Sequence, residues 1–274
     1  MVNDFHGTMK TRDILIIAAA AVVIVMLCSF AVHNDSGKDD DEGYIGIIGA
    51  MDVEVDGLKS IMDVEKVETV AGMEYYMGTL HGDKIVVVKC GMGKVNAGIC
   101  AHTMINKFHV KCIINTGVAG CLDSGLDIGD IVISTKALQH DFDVTPLGFK
   151  KGEIPYTGLV EFPADRDLID KLHHAINTSV IGITVKEGVI CTGDQFINTI
   201  EQKERILNDF GDGLCCEMEG GAIAQVCYLN DVPFVILRCL SDDAEGSAPE
   251  DYPAFERMAA MRNIVVLEHM LKEF

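Results

Sequence analysis

The stretch Pro233–Asp243, PFVILRCLSDD, decides the fold class. Its first eight residues form a nearly continuous apolar run, and a serine and two aspartates follow directly. A run of this kind is typical of a strand that is buried on both faces. Helix-like segments alternate with further apolar runs at Tyr44–Ala50, Ile85–Lys89, Cys112–Asn115, Ile131–Ser134 and Val189–Cys191. This order predicts an α/β domain with a mainly parallel or mixed sheet covered by helices on both sides.

Three helical segments are predicted from the spacing of apolar residues. One begins at Asp52, one follows the Gly91/Gly93 turn and runs through Ile105, and one covers Met258–Leu271. In open α/β sheets the ligand crevice lies beyond the carboxyl ends of the strands. Polar and glycine-rich sequence follows three of the predicted strands, so we expect the functional site at that edge.

The N-terminal 43 residues differ from the rest of the chain. Ile14–Val32 is an uncharged apolar run, which as a helix would be about 28 Å long, close to the ~30 Å hydrocarbon core of a membrane. Lys10 and Arg12 precede the run and the acidic stretch Asp39–Glu42 follows it. Because basic flanks stay in the cytoplasm, the remainder of the chain should face outward.

These features predict three regions. Residues 1–33 form an N-terminal hydrophobic helix, either a membrane anchor or a signal segment, 34–43 an acidic linker, and 44–274 the globular domain. The predicted localisation is membrane-anchored with the domain outside the cytoplasm. Secretion after cleavage and a cytoplasmic location are the alternatives.

Charge and cysteine spacing exclude some functions. The formal net charge of −20 disfavours nucleic acid as a partner. The ten cysteines show no CxxC spacing and no histidine-interleaved zinc pattern, and several lie within apolar runs. We therefore interpret them as reduced core residues and predict no metal site.

Two carboxylates lie close together in Cys215–Ala224, CCEMEGGAIA. Glu217 and Glu219 flank Met218, and a segment typical of a buried helix follows. Carboxylates are seldom fully buried unless they are paired or hydrogen-bonded. Their position at the start of an apolar helix therefore marks them as candidate binding residues.

Other candidates follow predicted strands. Asp52 and Glu54 in GAMDVEV lie at a strand-to-helix turn, where acids also serve as helix caps. Asp242 follows the last strand, where a catalytic role and a capping role fit equally. Each residue taken alone leaves both interpretations open.

Two glycine-rich stretches complete the pattern. CGMGKV, Cys90–Val95, is a glycine turn that can bring backbone N–H groups to a ligand, but the GxGxxG dinucleotide pattern is absent. NTGVAG, Asn115–Gly120, is interpreted as a second turn after a strand, with tight strand–helix packing as the alternative.

Taken in order, these motifs resemble the methylthioadenosine/S-adenosylhomocysteine nucleosidases of the nucleoside phosphorylase/nucleosidase superfamily. The resemblance runs from about Tyr44 to the C-terminus. It rests on IGIIGAMDVEV, KCGMGKVNAG, INTGVAG, GDIVIS, HDFDVT, TGDQFIN, CEMEGGAIAQVC and VPFVILRCLSDDA. It implies a three-layer α/β sandwich with a central mixed sheet, a homodimer, and hydrolysis of the N-glycosidic bond of an adenine thionucleoside.

The resemblance also implies roles for individual residues. Asp242 matches the general acid that protonates adenine at N7, and Glu54 matches the base that activates water. Glu219 matches the carboxylate that binds the ribose hydroxyls. The other matches in the substrate site are Glu217 beside it, Met218 on the ribose, Phe196 and Ile197 at adenine, and Ser241, Cys90 and Gly93. The residues that a partner subunit lends to the 5′-thio pocket match Val144, Leu147 and Pro155.

Three positions depart from the family pattern. Cys90 stands where serine is often found, Leu147 where an aromatic residue is often found, and Cys121 where a further glycine is expected. A thiol is a weaker hydrogen-bonding group than a hydroxyl. These departures bear on the rate and on the preferred 5′ substituent, and leave the reaction class unchanged.

The chemistry of the reaction requires the same residue types. Cleavage of an N-glycosidic bond develops positive charge on the ribose and negative charge on the leaving base, so it needs an acid for the base and a carboxylate for water. No metal or organic cofactor is required. The expected partners are an adenine nucleoside, a second copy of the chain and, for the N-terminal segment, a membrane.

Three alternatives remain from the sequence. A nucleoside phosphorylase would need cations around the glycine turns, where Lys94 is the one nearby candidate. A non-catalytic nucleoside-binding or surface protein could share the fold. A nucleosidase for a related 5′-modified adenosine would keep the same catalytic residues.

Overall fold

The structure is a computed structural model that describes residues 43–244 and 252–274. Within these residues, ten strands form one mixed sheet. The strands are β1 Tyr44–Gly49, β2 Asp63–Val70, β3 Met73–Leu80, β4 Asp83–Lys89, β5 Val110–Cys121, β6 Ile131–Gln139, β7 Glu161–Pro163, β8 Val185–Thr192, β9 Gly213–Glu217 and β10 Phe234–Leu240. The helices are α1 Asp52–Ile61, α2 Lys94–Phe108, α3 Arg166–Ser179, α4 Ile200–Asp209, α5 Gly220–Leu229 and α6 Tyr252–Met270, with a 3₁₀ turn at Thr145–Leu147.

Half of the sheet closes on itself. Strand β10 pairs with β6 on one side and with β5 on the other, so that β10, β6, β8, β9 and β5 form a ring. Strands β1, β4, β3 and β2 extend from β5 as an open sheet. Because β10, β5, β1 and β4 are parallel, their carboxyl ends meet at one edge.

Helices cover both faces of this sheet, as the buried strands require. Alternate residues of β1 point to opposite faces: Ile45 and Ile47 belong to one apolar core and Ile48 to the other. Helices α1 and α3 pack against α6 on the first face, and α2 packs against α5 on the second. The predicted α/β fold with a central mixed sheet is therefore confirmed.

The prediction of a glycine turn at Asn115–Gly120 is wrong. These residues continue strand β5, which ends at Cys121. Glycine is needed at Gly117 because two side chains approach the backbone there. A Cβ on Gly117 would lie 2.7 Å from both Arg238 Nη1 and Glu54 Oε1. The glycine pattern thus marks a close approach to the backbone within a strand.

The predicted N-terminal helix over 1–33 and the linker over 34–43, apart from Gly43, lie outside the described residues. Throughout the part of the chain that is described, no helix is both long enough and apolar enough to cross a membrane. The nine cysteines that the structure describes are all free and buried.

Candidate active site

A cavity of about 350 Å³ lies where the carboxyl ends of β1, β5 and β10 meet. Among the described residues that line it, five are acidic and none is basic. The lining residues are Ala50, Met51, Glu54, Met92, Val118, Ala119, Gly120, Gln195, Phe196, Ile197, Cys216, Glu217, Met218, Glu219, Ser241, Asp242 and Glu256. A pocket so rich in carboxylates favours a ligand that is neutral or positively charged.

Strand register brings the acidic residues together. Leu240 of β10 pairs with Ala119 of β5, and the next residue of β5, Gly120, pairs with Cys216 of β9. Asp242, two residues after the end of β10, and Glu217, the last residue of β9, therefore line the same cavity on either side of β5. Ser241 is held there because its backbone N–H donates to the Ala119 carbonyl at 3.0 Å.

Glu54 is buried and is held by backbone donors. Its Oε2 accepts hydrogen bonds from the N–H groups of Ala50 at 2.7 Å and Met51 at 2.9 Å, and its Oε1 accepts one from Val118 at 3.1 Å. Burial raises the pKa of Glu54, while Arg238 and these donors act in the opposite direction. The residue therefore combines the capping position at the start of α1 with a place in the cavity wall.

Glu217 is a buried anchor whose oxygens are fully engaged. It accepts hydrogen bonds from the Thr192 hydroxyl, from Arg238, and from the N–H groups of Glu219 at 3.0 Å and Gly220 at 2.8 Å. Burial opposes its ionisation, but Arg238 and the hydrogen bonds outweigh burial and lower the pKa of Glu217. Glu217 is thus ionised at neutral pH and has little capacity left for a ligand.

Glu219 is less completely engaged. Its Oε1 accepts a hydrogen bond from the Gly93 N–H at 2.8 Å, and its Oε2 lies 3.8 Å from Arg238. Burial, followed by repulsion from Glu217, raises the pKa of Glu219 to about 7. Of the two neighbouring carboxylates, Glu219 is the one available to a ligand.

Asp242 forms the opposite end of the acidic lining. Its Oδ1 accepts from the Cys121 N–H at 2.7 Å, and its Oδ2 lies 3.0 Å from the ammonium group of Lys203. Burial raises the pKa of Asp242, and the Cys121 donor and Lys203 partly offset this rise. A carboxyl group with a raised pKa that faces a cavity is suited to donate a proton.

The N-terminus of α2 links the two sides of the cavity. The Gly93 N–H binds Glu219, and the next N–H, of Lys94, binds Asp194 Oδ1 at 2.8 Å. Asp194 begins the loop that carries Phe196 and Ile197 into the cavity wall. Gly93 has φ +96° and a Cβ there would lie 3.1 Å from Asp194, so this turn requires glycine.

Five of the predicted site residues do not line the cavity formed by one chain. Cys90 is buried behind the wall, where its thiol donates to the Gly91 carbonyl at 3.1 Å, and burial raises its pKa far above the ordinary value. Val144, Leu147 and Pro155 are absent from the lining, and Leu147 is 75% exposed. Gly93 contributes through its backbone N–H, and the other predicted residues are brought together.

Two residues of the site were missed in the sequence. Arg238 is 1% exposed and supplies the cation between Asn115, Glu217 and Glu219. Lys203 is 2% exposed and pairs with Asp242. The signal for Arg238 was available, because a single arginine interrupts the apolar run PFVILRCL.

The described part of the chain has no cluster of three or more His, Cys, Asp or Glu side chains placed to hold a metal ion. The expectation that the site needs neither a metal nor a cofactor stays a prediction. The structure places the carboxyl groups of Glu54, Glu219 and Asp242 around one small cavity.

The chain is similar to known proteins over nearly its whole described length. Residues 44–272 match the phosphorylase superfamily. The 5′-methylthioadenosine/S-adenosylhomocysteine nucleosidase of Staphylococcus aureus (strain JH9) is 40% identical over 229 residues, which are 84% of this chain and 99% of that protein.

Solved structures agree with the sequence comparison. The Neisseria meningitidis 5′-methylthioadenosine/S-adenosylhomocysteine nucleosidase, in complex with methylthio-immucillin-A, has a TM-score of 0.80 and 35% identity over 84% of this chain and 99% of that one. The futalosine hydrolase of Helicobacter pylori has a TM-score of 0.78 and 31% identity over 85% of this chain and 98% of that one.

The comparison corrects the predicted localisation. The S. aureus protein is matched over 99% of its own length, and the superfamily match begins at residue 44, which leaves no counterpart there for a segment such as 1–33. No helix of the described residues could cross a membrane. The prediction of a membrane-anchored, extracytoplasmic domain is contradicted by the comparison.

The fold, the acidic cavity and the two kinds of comparison lead to one assignment. The match covers the strands and loops that build the cavity, since it runs from the start of β1 to beyond the end of the last helix. The chain therefore belongs to the 5′-methylthioadenosine/S-adenosylhomocysteine nucleosidases of the phosphorylase superfamily.

Proposed function

We propose that this chain hydrolyses the N-glycosidic bond of 5′-methylthioadenosine and S-adenosylhomocysteine and releases adenine and the thioribose. The observation that carries the proposal is the cavity itself, which places Glu54, Glu219 and Asp242 around one space with no cation in its described lining. The named activity of the relatives supports it.

In the proposed mechanism, Asp242 is the general acid. It donates its proton to N7 of adenine while the bond between the ribose and N9 breaks, so that the purine leaves as a neutral base. Burial raises the pKa of Asp242, which favours the protonated form that a donor needs. Ser241 and the loop of Phe196 and Ile197 would hold the purine beside it.

Glu54 is the proposed base. It takes a proton from water as the water attacks the anomeric carbon on the face opposite the departing purine. Burial raises the pKa of Glu54, which makes it a better proton acceptor once ionised, while three backbone donors and the nearby Arg238 act in the opposite direction. Glu219 accepts hydrogen bonds from the ribose hydroxyls, and Met218 covers the apolar face of the sugar.

The charged side chains in and near the cavity argue against the phosphorylase alternative. Phosphate binding requires cations that are free to form charge-assisted hydrogen bonds. Lys94 is bound to Asp141 at 2.5 Å, and the guanidinium of Arg238 already pairs with Glu217. An anion in this cavity would instead face five acidic side chains.

The proposed oligomer is a homodimer in which a second copy completes the 5′ pocket. Leu147 and Tyr156 are strongly exposed apolar residues on the segment that carries Val144 and Pro155. Met92, which lines the cavity, and its neighbour Val95 are exposed as well. A contact between these two apolar regions would cover both and close the cavity mouth.

Light scattering of the wild type and of Leu147→Asp tests the proposed dimer, since the variant should lose the dimer and the binding of S-adenosylhomocysteine together.

The test of the activity is product analysis with the purified protein. 5′-Methylthioadenosine is incubated with and without excess phosphate, and adenine and the sugar product are separated by chromatography. We expect adenine and free methylthioribose under both conditions. A methylthioribose 1-phosphate product would support the phosphorylase alternative, and the absence of any adenine release would support a binding protein. Futalosine in a parallel reaction tests the alternative of another 5′-modified substrate.

A further inference from the structure

We propose that Lys203 is a positioning residue for Asp242: its buried ammonium group fixes the carboxyl group and compensates the charge that remains when the proton has moved to the purine. This inference rests on the proposed function of Asp242 as the acid. It concerns a residue outside the cavity lining, so Lys203 would act through Asp242 and not on the substrate.

Lys203 is buried far beyond what is usual for a lysine. It lies on α4 with 2% of its surface exposed, in a helix whose other charged residues face solvent. Lysine is almost never fully buried unless it is paired, because the charged form loses its hydration. Its ammonium group has two partners, Asp242 Oδ2 at 3.0 Å and the backbone carbonyl of Asp243.

The two donors on Asp242 come from different elements. The Cys121 N–H at the end of β5 binds Oδ1, and Lys203 of α4 binds Oδ2. Each carboxyl oxygen therefore has one fixed contact, which restricts rotation of the group. A donor held in this way can be aimed at a single acceptor atom.

The charges around Asp242 make the lysine important. Asp243 and the cavity-lining Glu256 are acidic, and Asp243 raises the pKa of Asp242. The thiols that face it are neutral, since burial raises the pKa of Cys121 to about 11 and that of Cys216 to about 12. Glu54, Glu217 and Glu219 add negative charge across the cavity. Lys203 supplies the positive charge at this end.

The step is balanced without any other reactant. The O–H bond of Asp242 breaks and an N–H bond forms at N7, while the electron pair of the glycosidic bond moves to the purine. Asp242 becomes a carboxylate, and Lys203 takes no part in the proton transfer. Since a cation stabilises the carboxylate more than the neutral acid, it makes Asp242 a stronger donor.

This role has a particular pH signature. Activity requires protonated Asp242, so kcat/KM falls as the pH rises through the pKa of this group. Lys203 lowers that pKa. Replacing Lys203 by methionine should therefore reduce the maximal rate about 10- to 100-fold, as expected for a lost charged hydrogen bond. It should also move the alkaline limb, the part of the pH profile in which kcat/KM falls with rising pH, to higher pH. A residue needed only for folding would lower the rate and leave the limb in place.

The experiment compares pH profiles of adenine release for the wild type, Lys203→Met and Lys203→Arg, with Lys136→Met as the control. Lys136 forms an ion pair of 2.5 Å with Glu161 on the surface, away from the cavity lining. We expect the control to behave as the wild type. Lys203→Arg keeps the charge, so it should retain the position of the limb even where its rate is lower. It also carries the test if Lys203→Met does not fold.

A double-mutant cycle separates a catalytic effect from a structural one. In an Asp242→Asn background, Lys203→Met should cost little further activity, because the group on which Lys203 acts has been replaced. Equal losses in both backgrounds, or an alkaline limb that does not move in Lys203→Met, would overturn the inference. A shifted limb in Lys203→Arg would also contradict it. Absence of adenine release from the wild type would instead show that the proposed function has failed.

Discussion

The two ends of the cavity differ in how their carboxylates are balanced. At one end Glu54, Glu217 and Glu219 share one cation among the described residues, Arg238, which contributes to the electrostatics of all three. At the other end Asp242 has a cation of its own, Lys203. The first end therefore has three carboxyl groups for one cation, whereas Asp242 at the second end has a cation to itself.

This difference suits the two halves of the proposed reaction. Positive charge develops on the sugar as the glycosidic bond breaks, and an excess of carboxylate stabilises it. We call the end with Glu54, Glu217 and Glu219 the sugar end and the end with Asp242 the purine end. The purine end has to donate a proton, and the carboxylate that remains on Asp242 is stabilised by its own cation. The molecule thus uses the same side chain, a buried carboxyl group, for two purposes that its neighbours determine.

The largest effect on activity is expected from a substitution of Asp242 at the purine end. Asp242→Asn keeps the size of the side chain but has no proton to donate, so hydrolysis should fall by about 10²–10⁴-fold. Adenine release is measured on protein whose far-UV circular dichroism matches the wild type. As a control, Asp52→Asn changes an exposed acid that pairs with Lys89, and it should keep activity. Wild-type turnover in a folded Asp242→Asn protein would refute the assignment of the acid.

A substitution of Arg238 at the sugar end should instead destabilise the fold. Arg238→Met leaves buried carboxylates without their cation, which typically costs about 3–5 kcal/mol of unfolding free energy. Urea unfolding is followed by circular dichroism, since the chain has no tryptophan. Arg166→Met is the control, because its ion pairs are exposed and contribute little to stability. A loss in Arg238→Met no greater than in this control would show that the arginine is not the shared cation.

The two neighbouring glutamates should respond to pH with opposite signs. The pKa of Glu219 is raised to about 7, so the native state holds its proton more firmly than the unfolded chain, and stability is lost as the pH rises from about 4.5 through 7. Glu219→Gln removes this cost, so its free energy of unfolding at pH 8 should exceed that of the wild type by about 2–3 kcal/mol. Near pH 4 the two proteins should be equally stable. Unfolding free energies at the two pH values measure the effect.

Glu217→Gln is the matched comparison for that experiment. The pKa of Glu217 is lowered, so its ionised form contributes stability above its ordinary pKa, and that contribution is lost as the pH falls. The variant should therefore be less stable than the wild type at pH 8, with a smaller deficit in acid. The same sign for both glutamates would contradict the assignment of Glu217 as the anchor and Glu219 as the free carboxylate.

The sequence was sufficient for features that have a local cause. The apolar runs predicted β1, β4 and β10, because strands buried on both faces need uninterrupted apolar residues. It was also sufficient for the acids at their ends, which the family motifs identified. Strand β2 was missed, since most of its residues are exposed and show no apolar pattern.

Features with a distant cause could not be predicted in this way. Arg238 and Glu217 are 21 residues apart in the chain, and Lys203 and Asp242 are 39 apart. Both pairings depend on which strands and helices become neighbours, and the ring formed by β10, β6, β8, β9 and β5 determines that. The glycines of β5 were misread for the same reason, because the groups that approach them come from β10 and α1.

The central claim is that the sugar end carries unbalanced negative charge, and binding of a charged ligand tests it most directly. Two adenine nucleoside analogues are compared by calorimetry, one with a protonated amine in the sugar ring and one with a neutral ring, on the wild type and Glu219→Gln. The account predicts that the variant loses about tenfold or more in affinity for the cationic analogue, a charge-assisted contact, and much less for the neutral one. Equal losses for both analogues, or no loss for the cationic one, would contradict it.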